Sequence, residues 1–170
     1  ILVENQAGVL SKISGLFSRR GFNIDSLAVG VTTDPNVSRI TIVANGDEYV
    51  VEQLEKQLKR LRPISPWHWR TLRLIPVIKV KRLAEGDFIS RELILIKVHC
   101  PAAKRGEILT TVELMQGKIV DFSTTSVTVE YCECSSRVDT LVELLKPYGI
   151  REIVRTGTVA LDKGATAVSV

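Results

Sequence analysis

Val3-Glu4-Asn5-Gln6-Ala7-Gly8-Val9-Leu10, running into Ser11-Lys12-Ile13-Ser14-Gly15-Leu16-Phe17, is the stretch from which the organisation of the chain can be read. It has the pattern of a strand end, a tight polar loop and the opening of an amphipathic helix. Val9, Leu10, Ile13, Leu16 and Phe17 fall at i, i+1, i+4, i+7 and i+8, one face of a 3.6-residue period. A helix that opens after a loop has unpartnered N–H groups and the positive end of its macrodipole there. A small carboxylate suits that position, each such contact contributing roughly 0.3–2 kcal/mol. Gly8 has no side chain to keep a ligand from the backbone, and Asn5 offers both a donor and an acceptor, as a zwitterion requires. A purely structural reading is also open: Asn5 caps the helix and Gly8 turns the chain.

Working outward, 1–3 is the stub of a first strand, and the helix is predicted over 8–20, stopped by Gly21. Alternation at Leu27, Val29 and Val31 predicts a strand over 23–33. Asp34-Pro35-Asn36 is a turn signal, and a third strand is predicted over 37–44. A second helix is predicted over 48–61, with Val51, Leu54, Leu58 and Leu61 on its buried face and Asp47 as its cap. A fourth strand is predicted over 75–83. The order is β-α-β-β-α-β.

That order recurs. Strands are predicted over 92–100, 118–122, 126–131 and 150–161, the last interrupted near Gly157. Helices are predicted over 102–115, ended by Gly117, and over 136–146. The tail after Asp162 is expected to be mobile. Two consecutive split β-α-β units imply an α+β chain of two ferredoxin-like domains, 1–83 and 84–170, with the joint at 84–91. Each unit leaves open sheet edges and a bare sheet face, so a homodimer with side-by-side sheets is expected. The Asn5–Gly8 loop then lies near a subunit boundary, where ligand pockets are common.

At 170 residues and 45% hydrophobic content, the chain can bury a core for one large or two small domains. Aromatics make up only 5%, so aliphatic side chains must fill that core. No apolar run reaches the ~18 residues needed to span a membrane. Cys100, Cys132 and Cys134 do not suggest a disulfide framework, and a reducing cytosol is the simpler setting. The net charge of +4 is unevenly spread: 56–84 holds nine Lys or Arg and no acid, leaving the rest of the chain at −5. Such a stretch suits nucleic acid, a membrane surface or an acidic partner, or is simply a solvated linker.

Several stretches together resemble the ACT domain of the acetolactate synthase (acetohydroxyacid synthase) regulatory small-subunit family. They are the opening stretch through Leu10, Gly15-Leu16-Phe17-Ser18-Arg19-Arg20-Gly21-Phe22-Asn23-Ile24-Asp25-Ser26-Leu27, and Ser38-Arg39-Ile40-Thr41. Ser90-Arg91-Glu92-Leu93, Ile119-Val120-Asp121 and 148–161 are similar to the same family's C-terminal domain. The resemblance implies a non-catalytic subunit that binds a large catalytic subunit, activates it and makes it sensitive to valine or another branched-chain amino acid. It implies no cofactor in this subunit; thiamine diphosphate, magnesium and FAD belong to the large one. It implies an effector held between two ACT domains: Asn5, Gln6, Ala7, Gly8, Val9 and Leu10 from one chain, Asn23 and Ile24 from its neighbour. Gln6 and Ala7 occupy positions that the family varies. A bacterial-type cytoplasmic setting follows, an organellar homologue being the alternative.

One departure from that family is an insertion at 62–74, with Pro63, Pro66, Trp67, His68 and Trp69 beside arginines. It reads as a surface excursion or as a peg docking on the large subunit, since Trp and Arg dominate interface hot spots. Enzyme signatures are absent. There is no phosphate loop or nucleophile elbow, and His68, His99 and the three cysteines lack the spacing of a zinc site. Glu130 and Glu133 read as solvated carboxylates. Two other functions fit the β-α-β-β-α-β order: a free-standing ACT sensor of another pathway, and an RNA-binding module. For the latter, the stretch 37–42 offers no aromatic stacking platform.

Overall fold

The computed structural model describes residues 1–19, 21–46, 48–60, 77–84, 86–165 and 167–168. The insertion at 62–74, with both tryptophans, and the start of the predicted fourth strand lie outside these residues. The chain divides into two compact units, 1–89 with 160–170, and 90–159.

The first unit contains β1 (Leu2–Glu4), α1 (Val9–Arg19), β2 (Ser26–Val31), β3 (Val37–Val43), α2 (Glu48–Arg60) and β4 (Val77–Lys79). Its sheet has the order β2-β3-β1-β4, and every pairing is antiparallel. Right-handed β-α-β crossovers place the helices together on one face of such a sheet. Val3 pairs with Ser38 and with Val77, so the helix-facing side of three strands lines up there. Val9, Ile13 and Phe17 of α1 and Leu54 and Leu58 of α2 pack on Val3, Ile40 and Val77. Burying each large apolar side chain stabilises the unit by about 1.5–3 kcal/mol. Leu10, expected on the buried stripe, is 40% exposed, because the apolar face of α1 is the narrower i, i+4, i+8 row.

The second unit repeats the plan with β5 (Phe88–His99), α3 (Arg105–Leu114), β6 (Lys118–Phe122), β7 (Ser126–Glu133), α4 (Ser135–Leu145) and β8 (Ile150–Arg155). Its sheet order is β6-β7-β5-β8, the same path as in the first unit. Ile94, Ile96, Val98, Val127, Val129 and Tyr131 form one side of the core, against Ile108, Val112, Val138, Leu141 and Leu145. Alternation along β5 is strict: Ile94, Ile96 and Val98 are buried, and Leu93, Leu95 and Lys97 face the other way, half-buried.

Several boundaries differ from the sequence reading; β5, for one, begins at Phe88, inside the stretch 84–91 expected to join the two units. The interruption expected near Gly157 is present: its φ of 79° breaks the extended path and separates β8 from β9 (Val159–Asp162). The helix expected to end at Gly117 ends at Leu114, and Gln116 takes the left-handed conformation with φ 63°. Gly117 is required for space instead: a Cβ there would lie 3.0 Å from Val112 Cγ1 and 3.3 Å from Val129 Cγ1. Finally, the chain just past Asp162 is tied down. The Lys163 N–H donates to the Asp87 carbonyl at 2.9 Å, and its ammonium donates to the Gly86 carbonyl at 2.7 Å.

Candidate functional site

The loop between β1 and α1 is held by the turn that joins β2 to β3. The backbone N–H of Asn5 donates to the Asn36 carbonyl at 2.7 Å, and the Asn5 side-chain amide donates to the Pro35 carbonyl at 3.0 Å. That turn is braced in its own right, because the Asp34 carboxylate accepts from the backbone and side-chain N–H groups of Asn36 at 2.9 and 3.0 Å. Asn5 therefore does not cap the helix, the structural role open to it from sequence. Its Nδ2 anchors the loop and its Oδ1 remains on an exposed surface.

The helix begins at Val9, and its first backbone bond runs from the Lys12 N–H to the Gly8 carbonyl at 3.1 Å, so Gly8 is the N-cap residue. Gly8 has φ 82°, a conformation that costs other L-residues about 1–2 kcal/mol. A Cβ built on Gly8 meets no atom within 4 Å, so the space beside this residue is open. The N–H groups of Leu10 and Ser11 have no acceptor among the described residues. The first turn carries no acidic side chain that would occupy them. Asn5, Gln6, Ala7, Gly8 and Leu10 are exposed and Val9 is buried beneath them, so the loop rests on the core while its polar groups face out. Gln6 is engaged locally, its amide donating to the Glu4 carboxylate at 2.7 Å.

Asn23 and Ile24 lie past the other end of α1. Eleven helical residues rise about 16 Å, so a single chain does not bring them to the Asn5–Gly8 loop. Asn23 is exposed and donates its amide to the Asp25 carboxylate at 2.8 Å. Ile24 is half-buried against the first core. The structure thus joins six of the eight predicted positions in one loop and leaves two at a distance. A contact not foreseen from sequence is the clamp of this loop by 34–36. The turn signal was plain, but nothing local in sequence shows a bond spanning thirty residues.

Among the described residues, His99 and Cys134 have structural partners. His99 Nδ1 accepts from the Arg151 guanidinium at 2.9 Å. Cys100 is buried in the second core, Cys132 is exposed, and the Cys134 thiol meets Ser136 Oγ at 3.4 Å. That hydroxyl and the Arg137 N–H hold the Cys134 thiol below its ordinary value. Glu92, 4% exposed, receives both arms of Arg155 at 2.8 Å, which lowers its carboxyl below the usual range. Arg155 also reaches Asp139 at 2.9 Å. No group of three or more His, Cys, Asp or Glu side chains that could hold a metal occurs among the described residues. No helix among them is long and apolar enough to cross a membrane.

Two antiparallel βαββαβ units in tandem define a ferredoxin-like α+β chain. Residues 1–65 match the acetohydroxyacid synthase small-subunit-like ACT domain, and residues 91–164 match the family described as the small subunit of acetolactate synthase. The acetolactate synthase small subunit of Mycolicibacterium smegmatis is 43% identical over 168 residues, 99% of this chain and 91% of that protein. The probable acetolactate synthase small subunit of Archaeoglobus fulgidus is 44% identical over 164 residues, 96% of this chain and 94% of that protein. The crystal structure of the acetolactate synthase small subunit from Thermotoga maritima superposes with a TM-score of 0.80 at 35% identity, covering 97% of this chain and 95% of that one. The chain belongs to this family, the regulatory small subunits of acetolactate synthase, and membership implies a large catalytic subunit as partner.

Proposed function

We propose that this chain binds valine or a closely related branched-chain amino acid between the ACT domains of two copies, activates the large catalytic subunit and confers feedback inhibition on it. The observation that carries the reading is the helix start at Gly8: a left-handed glycine with open space beside it, and two N–H groups at the positive end of α1 with no partner among the described residues. These features suit a free carboxylate. The Asn5 Oδ1 is available to an ammonium group, and Asn5 Nδ2 holds the loop in place. Asn23 and Ile24 come from the neighbouring copy and complete the polar and aliphatic contacts. Their separation from the loop within one chain is the reason a second copy is required.

Pairing along β2 supplies that copy. β2 is an edge strand with Val29 49% and Val31 66% exposed, and edges of this kind favour pairing with another chain. Valine is one methylene smaller than leucine and isoleucine, which are isomers of each other, and one methylene contributes about 1–3 kcal/mol of discrimination in an apolar pocket. Cross-binding is therefore expected, with pocket volume setting the preference. Inhibition follows if the ligand favours one arrangement of the assembly by about 1–3 kcal/mol. Thiamine diphosphate, magnesium and FAD are assigned to the large subunit and no cofactor to this one, and the setting is the cytoplasm.

Calorimetry with valine, leucine, isoleucine and an unrelated amino acid tests the reading. Saturable heat with the branched-chain ligands alone supports it. Equal or absent heat with all four refutes it.

A further inference from the structure

The chain passes to the second unit after Ile89 and comes back to the first at Ala160, so the first unit is built from two separate pieces of sequence. β9 makes the return. Its burial alternates: Ala160 and Asp162 are buried, and Val159 and Leu161 are exposed. Both inward residues are held. The Arg39 guanidinium donates to the Ala160 carbonyl at 3.0 Å, and the Lys81 ammonium donates to Asp162 Oδ1 at 2.6 Å. Lys163 then ties the incoming chain to the outgoing one, through its bonds to the Gly86 and Asp87 carbonyls just before β5.

The ion pair is a poor source of stability. Asp162 is 9% exposed, and its Oδ2 is buried with no partner among the described residues. Desolvation offsets the Coulombic gain of a buried pair, and an oxygen left unsatisfied adds a further cost. What the pair supplies is a fixed position for β9. Arg39 shows where that position bears on the first unit. Ile40 packs in the core under the helices, so Arg39 lies on the opposite face of the sheet. Its cross-strand partners are Leu2 of β1 and Gly30 of β2. Asn5 lies three residues past Leu2, and Asn36 three residues before Arg39. The bond from the Asn5 N–H to the Asn36 carbonyl, 2.7 Å, closes that circuit. Arg39 is thus about 10 Å from the candidate loop along both strands that carry it. Lys81 follows the other neighbour of β1, two residues beyond Lys79, which pairs with Leu2.

We propose that 160–163 is the strap through which amino-acid binding at the β1–α1 loop is felt in the second unit, with Arg39 and the Lys81–Asp162 pair as its positioning residues. The strap presupposes the effector reading and adds the element that carries its signal. A ligand on the Leu10 and Ser11 N–H groups fixes the loop, and with it β1 and the β2–β3 turn. β1 and β3 hold Arg39, Arg39 and Lys81 hold β9, and three residues of backbone lead from β9 to β8 in the second unit. Coupling between distant sites is carried by contiguous hydrogen-bond and ion-pair networks of this kind.

Amide hydrogen exchange of the full chain, with and without saturating valine, tests the strap. In the parent, valine should slow exchange in the 5–10 loop and also in 90–159, the latter by about fivefold or more, as for a coupling free energy between two sites. In Arg39→Met and Asp162→Asn, each checked for folding by circular dichroism, protection of the loop should remain. Their valine affinity by calorimetry should stay within about twofold of the parent's, while the slowing in 90–159 should fall below about twofold. Arg39→Lys keeps a donor for the Ala160 carbonyl and should retain the parent's response. Persistence of the 90–159 response in folded Arg39→Met and Asp162→Asn would overturn the strap. So would a fall in valine affinity that matches the fall in that response, which marks a purely structural role. A parent in which valine protects the loop alone would overturn it too, without recourse to any variant. A parent that valine protects nowhere would refute the effector reading, and the strap with it, so the two failures are told apart.

Discussion

Gly8→Asp is the substitution that bears hardest on the effector loop. Gly8 has φ 82°, so any side chain there costs about 1–2 kcal/mol of folded stability. The added Cβ meets nothing within 4 Å, so the fold survives and the new carboxylate stands in the open space beside this residue, at the start of α1. A bound amino acid would place its own carboxylate about 4 Å away. At that separation two unit charges repel by about 4 kcal/mol at an effective dielectric of 20 and about 1 kcal/mol in bulk water. The expected loss of affinity therefore lies between roughly fivefold and nearly a thousandfold. Gly8→Ala is the control, because it carries the backbone strain without the charge. Calorimetry with valine should show Gly8→Asp at least about fivefold weaker than Gly8→Ala. Activation of the large subunit should remain with both. Equal valine affinity of the two variants would refute the reasoning, since the carboxylate would then bind elsewhere.

Other outcomes follow from the same geometry. Asn5→Ala removes an exposed bond to the Pro35 carbonyl; thermal melting should show a loss of about 1 kcal/mol or less, while valine affinity falls by a larger factor. Glu92→Gln breaks the two-armed contact with Arg155 and should cost about 2 kcal/mol in urea unfolding at pH 7. Arg155 holds the Glu92 carboxyl below its ordinary value of 4.5 in the folded state. Its stabilisation is thus complete above that value and is lost as pH falls through the folded pKa; the variant should show a shallower acid loss than the parent. Leu141→Ala opens a cavity in the second core, where Leu141 is fully buried, and should cost about 2–5 kcal/mol.

The fold was legible because each element announces itself with a short-range period. The i, i+4 row Val9-Ile13-Phe17 and the alternation of Ile94-Ile96-Val98 leave little room for another reading, and the repeat of β-α-β-β-α-β supplies the topology. What stayed hidden depends on partners distant in sequence. That Asn5 anchors to Pro35 rather than capping α1 is decided by where the β2–β3 turn lands. Leu10 satisfies the helical period yet is exposed, because the core accepts only the central row of α1. The return of Lys163 to Asp87 rests on a backbone bond that carries no sequence signature. At the site, Gly8 and the free helix start could be read locally, but the placement of Asn23 and Ile24 past the far end of α1 became clear only from the length and direction of that helix.

A crystal structure of the chain grown with excess valine tests the central claim most directly. The account predicts a ligand whose carboxylate meets the N–H groups following Gly8, whose ammonium meets Asn5, and whose side chain is closed over by Asn23 and Ile24 of the partner subunit. Two copies with their β1–α1 loops far apart and empty, or valine bound away from Gly8, would contradict it.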